Sequence, residues 1–175
     1  MSVRATVLSA TIIAFSLFAA RPAAAEDPNA VFAGKIMVSD KKFPTSAKSP
    51  SAYVAAIKKQ AKSNFNEDKE NHSWKIYFAG FLKTPLNDVE YLIKIYEVTG
   101  KGQQLLVSFD QYANERGEKT ITSYMTLDKN QVGVNKDLLM TMESKGKVLA
   151  SARFKVLGEG EKFSGKVDFS KDEDN

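Results

Sequence analysis

The stretch "SWKIYFAGFL", Ser73–Leu82, decides how this chain folds. Its side chains alternate, Trp74, Ile76 and Phe78 falling on one face and Tyr77, Ala79 and Phe81 on the other. A period of two marks a strand, and a strand apolar on both faces is covered on both faces. The nearest cover is just upstream, in "SPSAYVAAIKKQAKSNF". There Ser49 serves as a cap and Pro50 as the first helical residue. Tyr53, Val54, Ile57, Ala61 and Phe65 share one stripe at the 3.6 period, with Lys58, Lys59 and Lys62 opposite. The pattern predicts a helix over Ser51–Phe65, capping the sheet face near Trp74.

Outward from these two elements the period stays at two. Strands are predicted in "VFAGKIMVS" (Val31–Ser39), "VEYLIKIYEV" (Val89–Val98), "QQLLVSFDQY" (Gln103–Tyr112) and "TITSYMTL" (Thr120–Leu127). "LLMTMES" (Leu138–Ser144) and "KVLASARFKV" (Lys147–Val156) form a hairpin across Lys145-Gly146, and "KFSGKVDFS" (162–170) is the last strand. With Ser73–Leu82 that makes eight short strands and one helix. The expected fold is mainly β, an antiparallel β-sandwich, immunoglobulin-like or related, with the helix packed on it. A closed up-and-down β-barrel is the alternative. The lack of strand–helix alternation argues against a parallel doubly wound sheet. By strand parity Trp74, Ile76, Phe78, Ile93, Ile95, Val107, Phe109, Val148, Ala150, Phe154 and Val156 form the core. The run G-x-V-L-A-S-x-x-F-x-V at Gly146–Val156 resembles the closing strands of bacterial immunoglobulin-like domains. The likeness covers this hairpin alone and brings no functional residues with it.

The first residues bear on compartment. "MSVR" is basic, Ala5–Ala20 is apolar without a charge, and Ala23 and Ala25 fit the small-residue cleavage rule. Residues 1–25 are therefore read as a signal peptide and 26–175 as one β-sandwich domain with a frayed "KDEDN" tail. The apolar run is shorter than the roughly 20 residues of a spanning helix, so no integral membrane span is expected after processing. Neither a lipid-anchor cysteine nor paired arginines accompany it. The expected destination is periplasmic or secreted, and bacterial, because an exported chain with no cysteine relies on its core rather than on disulfides.

Charge and composition exclude several chemistries. Of 25 Lys and Arg against 21 Asp and Glu, Arg4 and Arg21 lie in the signal segment, leaving 23 against 21, a charge of +2, on the mature chain. So balanced a chain is not built for nucleic acid. Without cysteine there is no thiol nucleophile and no thiolate metal site. His72, the single histidine, lies near Asp68 and Glu70 but has no further ligands in view, and no G-x-S-x-G accompanies it for a triad. "SDKK", Ser39–Lys42, matches S-x-x-K but lacks the S-D-N and K-T-G partners of that active site. Asp40, Asp88, Asp110 and Asp128 fall near strand ends, where turn formation accounts for them better than calcium, no D-x-D-x-D-G run being present. "NHS", Asn71–Ser73, is a glycosylation sequon that carries no meaning in a bacterial envelope. The lysines of the helix read as a solvated face, and Trp74 and the tyrosines as strand residues, core or half-buried.

No catalytic constellation, cofactor site or metal site is expected. The sequence reads as an exported, non-enzymatic binding or structural module that meets a protein or glycan through its loops or a sheet edge. The loops Asp110–Lys119 and Asp128–Asp137 are the candidates, with Tyr112 and Arg116 as possible anchors. A carrier of an apolar small molecule in a barrel is the second reading. A carboxylate-based glycosidase is the third, since no pair of acids stands in an apolar setting.

Overall fold

The computed structural model describes residues 27–100 and 102–159. Residues 1–25, read from the sequence as a signal segment with Ala23 and Ala25, the strand expected over 162–170 and the tail after it lie outside the described residues. The fold is mainly β. In chain order the elements are α1 (Pro28–Val31), β1 (Lys35–Ser39), α2 (Pro50–Gln60), β2 (Asn64–Asn66), β3 (Ser73–Phe81) and β4 (Glu90–Thr99). Then come β5 (Gly102–Tyr112), β6 (Thr120–Asp128), α3 (Lys129–Val132), β7 (Lys136–Ser144) and β8 (Lys147–Leu157).

The strands form one sheet in the order β5-β4-β7-β8-β1-β3-β6, curled into a half-barrel, with β2 attached to β8. This corrects the antiparallel sandwich. The two covers of Ser73–Leu82 are the sheet's own concave interior on one side and α2 on the other, in place of a second sheet. The sheet is also mixed. β1 and β2 both run parallel to β8, at Lys35↔Ser151 and at Asn64–Asn66 against Lys155–Leu157, while the other pairs are antiparallel. Alternation along a strand records its faces and not the direction of its neighbour, so the sequence pattern is the same either way.

The concave face holds the main core: Ile36 and Val38, Trp74, Ile76 and Phe78, Tyr91, Ile93 and Ile95, Met140 and Met142, Phe154 and Val156. Of the expected core residues, Val107 and Phe109 are half-buried against it, and Val148 is exposed. Val148 is displaced by a register shift at Met142/Glu143, which leaves Leu149 as the extra residue that packs on the core. A bulge of this kind reverses the parity of everything before it.

The second cluster lies on the convex face. Val54 and Ile57 of α2 pack with Phe32, Phe43, Ala79 and Phe81. The helix therefore covers the Ala79/Phe81 face, opposite to Trp74, which corrects the face assigned from sequence. Ser49 caps it by accepting from the Ala52 N–H at 3.2 Å, with Pro50 in the first turn. It stops at Gln60, five residues early, because Ala61 turns extended and the Lys62 N–H goes to the Val38 carbonyl at 2.8 Å. Phe65, expected on the helical stripe, instead belongs to β2 and is buried in the concave core, edge-to-face with Phe154 at 5.5 Å.

The outer strands β5 and β6 approach each other at one point. Ser123 Oγ donates to Gln111 Oε1 at 3.1 Å, and Ser123 is also hydrogen-bonded to the buried Tyr91 phenol. These three polar side chains span the mouth of the half-barrel from within.

Candidate ligand groove

On the convex face beyond the cover of α2 a half-buried and an exposed tyrosine meet. Tyr77 of β3 lies directly opposite Tyr124 of β6 in the sheet register. Their ring centroids are 5.8 Å apart, tilted by 43°, and Tyr124 is 56% exposed. Lys75, two residues before Tyr77 and therefore on the same face, holds its ammonium 5.5 Å from the Tyr77 centroid and 4.9 Å from that of Tyr124. Both rings stand on paired strands, so the backbone beneath them is fixed by the ladder.

The wall opposite the rings is the segment after β1. Ser39, buried at the end of β1, accepts from the Lys41 N–H at 3.1 Å and turns the chain. Gln60, at the end of α2, donates to the carbonyls of Lys41 and Lys42 at 2.7 and 2.8 Å. Phe43 is buried in the convex cluster and anchors the chain as it continues to Thr45. Between wall and sheet lies a groove of about 450 Å³ lined by Lys42, Phe43, Thr45, Tyr77, Phe78, Thr122, Ser123 and Tyr124. A second depression of about 330 Å³, lined by Pro28, Asn29, Thr45, Tyr53, Thr120 and Thr122, shares Thr45 and Thr122 with it. Burial pushes the Tyr53 phenol above its ordinary pKa, so at neutral pH it remains a hydroxyl donor. Thr120 Oγ1 donates to Asn29 Oδ1 at 2.8 Å and fixes that end.

The residues singled out in the sequence fall elsewhere. Tyr112 ends β5 opposite Glu90 and is 69% exposed, and Arg116 is exposed in the connection to β6. Neither lines the groove. Their segment is pinned by backbone bonds to the β3–β4 connection, Ala113 N–H to the Val89 carbonyl and Gly117 N–H to that of Leu86, both 2.7 Å. The 128–137 segment, expected as a loop, winds into α3 capped by Asp128, and Val132 is buried in the concave core.

His72 adopts a left-handed backbone (φ 48°) in the turn before β3, with Nδ1 3.2 Å from Glu67 Oε1. Lys129 lies 3.0 Å from the same carboxylate, and its hydrogen bond, helped by that of His72, holds Glu67 below the usual carboxylate range. Asp40 pairs with Lys62 at 2.5 Å, Asp88 accepts from the Val89 N–H at 2.8 Å, and Asp110 is exposed. Among the described residues no three His, Asp or Glu side chains gather as a metal-binding group. Also among them, no helix is long and apolar enough to cross a membrane.

A larger recess, about 510 Å³, opens between Ser63, Asn64, Val98, Asp137, Arg153 and Lys155. Its charges are mixed, and Lys155 is already 3.3 Å from Asp137. Sequence reasoning passes over Tyr77 and Tyr124 by taking the tyrosines as core or half-buried strand residues before ligand contacts. The signal is their parity: Tyr77 shares a face with Lys75, and Tyr124 with Thr120, Thr122 and Thr126. No known protein family matches the chain, and no curated protein matches it in sequence.

Proposed function

We propose that the protein is an exported binding module, without catalysis, that takes its ligand in the groove over Tyr77 and Tyr124. The observation that carries this reading is the ring pair of half-buried Tyr77 and exposed Tyr124 with Lys75 beside it, held on two hydrogen-bonded strands. Exposed aromatic side chains on a rigid frame bury large contact area at little cost in conformational freedom, which is why they serve as anchors. Export is supported by the basic start, the uncharged run Ala5–Ala20 and the Ala23-x-Ala25 pattern. The carrier reading is weaker because side chains fill the concave interior. Ile76, Ile95, Met140 and Met142 have no exposure, and a Cβ at Gly80 would meet the Met142 methyl at 2.6 Å.

The test compares the exported protein with its Tyr77→Ala/Tyr124→Ala variant. Each is titrated against isolated envelope components: peptidoglycan, surface polysaccharide and membrane vesicles. The expected outcome is retention of the native protein on one component and loss of about tenfold or more in affinity for the variant. Equal binding by a normally folded variant would refute the groove as the site.

A further inference from the structure

We infer that the groove takes an acidic polysaccharide, a chain of pyranose rings bearing carboxylates, laid lengthwise along β6. The inference rests on the groove being the ligand site and goes further by naming the ligand's chemistry.

Three observations carry it. The first is charge. Lys42 lines the groove, and the Lys75 ammonium stands over the rings of Tyr77 and Tyr124 that line it; like several other surface lysines, neither is paired with a carboxylate among the described residues. No acid lines the groove or its extension. One ammonium in the lining and one over its rings, with no acid in the recess, complement a ligand that brings its own carboxylates. Two is also too few for nucleic acid, whose affinity comes from neutralising many phosphates.

The second observation is shape. Thr120, Thr122 and Tyr124 share the convex face of β6. Successive members of such a row stand about 6.5–7 Å apart, so the row spans roughly 13 Å. The two depressions joined at Thr45 and Thr122 run along it. An elongated groove of this length holds more than one sugar ring. The third observation is the lining chemistry. The aromatic faces of Tyr77 and Tyr124 suit the C–H faces of pyranose rings. The hydroxyls of Thr45, Thr122 and Tyr53 donate to and accept from ring hydroxyls. An extended peptide fits less well. The groove lies on the face of the sheet, so a peptide laid in it gains no ladder bonds; those would need the outer edge of β6, the last strand of the sheet.

The experiment is calorimetric titration of the exported protein with tetragalacturonate, neutral cellotetraose and poly-γ-glutamate, at about 0.05 and about 0.5 M NaCl. Tetragalacturonate is expected to bind and to weaken with salt. Tyr124→Ala should cost about tenfold or more. Lys42→Ala/Lys75→Ala, both at exposed positions, should weaken binding and flatten its salt dependence. Equal binding of cellotetraose, unmoved by the lysine substitutions, would overturn the acidic specificity. Equal binding of poly-γ-glutamate would overturn the requirement for sugar rings. If no saccharide binds while the Tyr77→Ala/Tyr124→Ala variant still loses its envelope component, this inference fails and the groove reading survives. If neither holds, both fail.

Discussion

Replacing Phe154 by alanine tests the half-barrel at the joint where its most isolated strand is attached. Phe154 is 4% exposed, and its ring meets that of Phe65 edge-to-face, centroids 5.5 Å apart and planes at 83°. Truncating a buried phenylalanine costs about 3–5 kcal/mol. At roughly 2–4 °C per kcal/mol for a chain of this size, the melting temperature should fall by about 6–20 °C. Beyond burial, the ring pair is worth about 0.5–1.5 kcal/mol. β2 is only three residues long and pairs with β8 alone, so Phe65 is its chief apolar attachment. A double-mutant cycle over Phe65→Ala and Phe154→Ala should therefore show coupling of about 0.5–1.5 kcal/mol, the two losses failing to add. Trp74, the single tryptophan and 1% exposed, reports unfolding by fluorescence in urea. Its indole N–H donates to the Leu157 carbonyl beside β2, 3.1 Å away, so it also senses that corner. A midpoint unmoved by Phe154→Ala, or strictly additive losses, would refute the assignment of β2 to the core.

Tyr91 is pushed up to about 12 by burial, with the Glu118 charge adding to it and the Ser123 hydrogen bond opposing. The fold favours its neutral form, so stability is intact below about pH 10 and falls by about 1.4 kcal/mol per unit as pH rises toward 12. Urea melts across that range should show the slope, and Tyr91→Phe should remove its share. Glu143 is pushed up by burial, yet hydrogen bonds from Lys94 at 2.6 Å and Thr141 at 2.8 Å outweigh this and hold it below the usual carboxylate range. Its contribution is present above the ordinary carboxylate pKa and is lost as pH falls through the lowered one. Glu143→Gln should cost about 1–3 kcal/mol at neutral pH and flatten the acid limb of the stability curve. Gly80→Ala places a Cβ 2.6 Å from the tip of Met142, a flexible side chain that can turn aside. Its cost should sit near the low end of overpacking, about 1 kcal/mol, in thermal melts, and Gly80→Val should cost markedly more.

Much of the strand content is legible because period-two alternation is strong in each segment. The strands around Ile36, Ile76, Ile93, Val107, Met125, Met140 and Phe154 all stand near their expected places. β2 is hidden because Phe65 lies eight residues after Ile57 and so stays on the helical stripe. What ends the helix is the long-range bond from Lys62 to Val38, which no local pattern announces. The exposure of Val148 is hidden for a similar reason, since the bulge that turns it outward depends on pairing with β7. Sheet order is not legible at all: β1 and β8 meet across most of the chain. The groove is partly legible, since Tyr124 sits at the polar parity of Thr120, Thr122 and Thr126 and Tyr77 shares its face with Lys75. That the two are cross-strand neighbours comes only from the register of β3 with β6. Tyr112 and Arg116 stand out by residue type, and the fold sets them apart from the groove.

The place of β8 in the sheet governs how the chain is assembled in time. On one side stands the three-strand piece β5-β4-β7 and on the other β1-β3-β6, and β8 is the strand that joins them. A polypeptide cut after Ser144 would contain both pieces in full and still have no continuous sheet. During synthesis Lys35 is made long before its partner Ser151. At roughly 5–20 residues per second the wait is on the order of ten seconds. Until β8 arrives, the flank of β7 that it will cover and the flank of β1 that faces Ser151 are both open. Nascent chains should therefore stay sensitive to protease through most of translation and become resistant in a single late step.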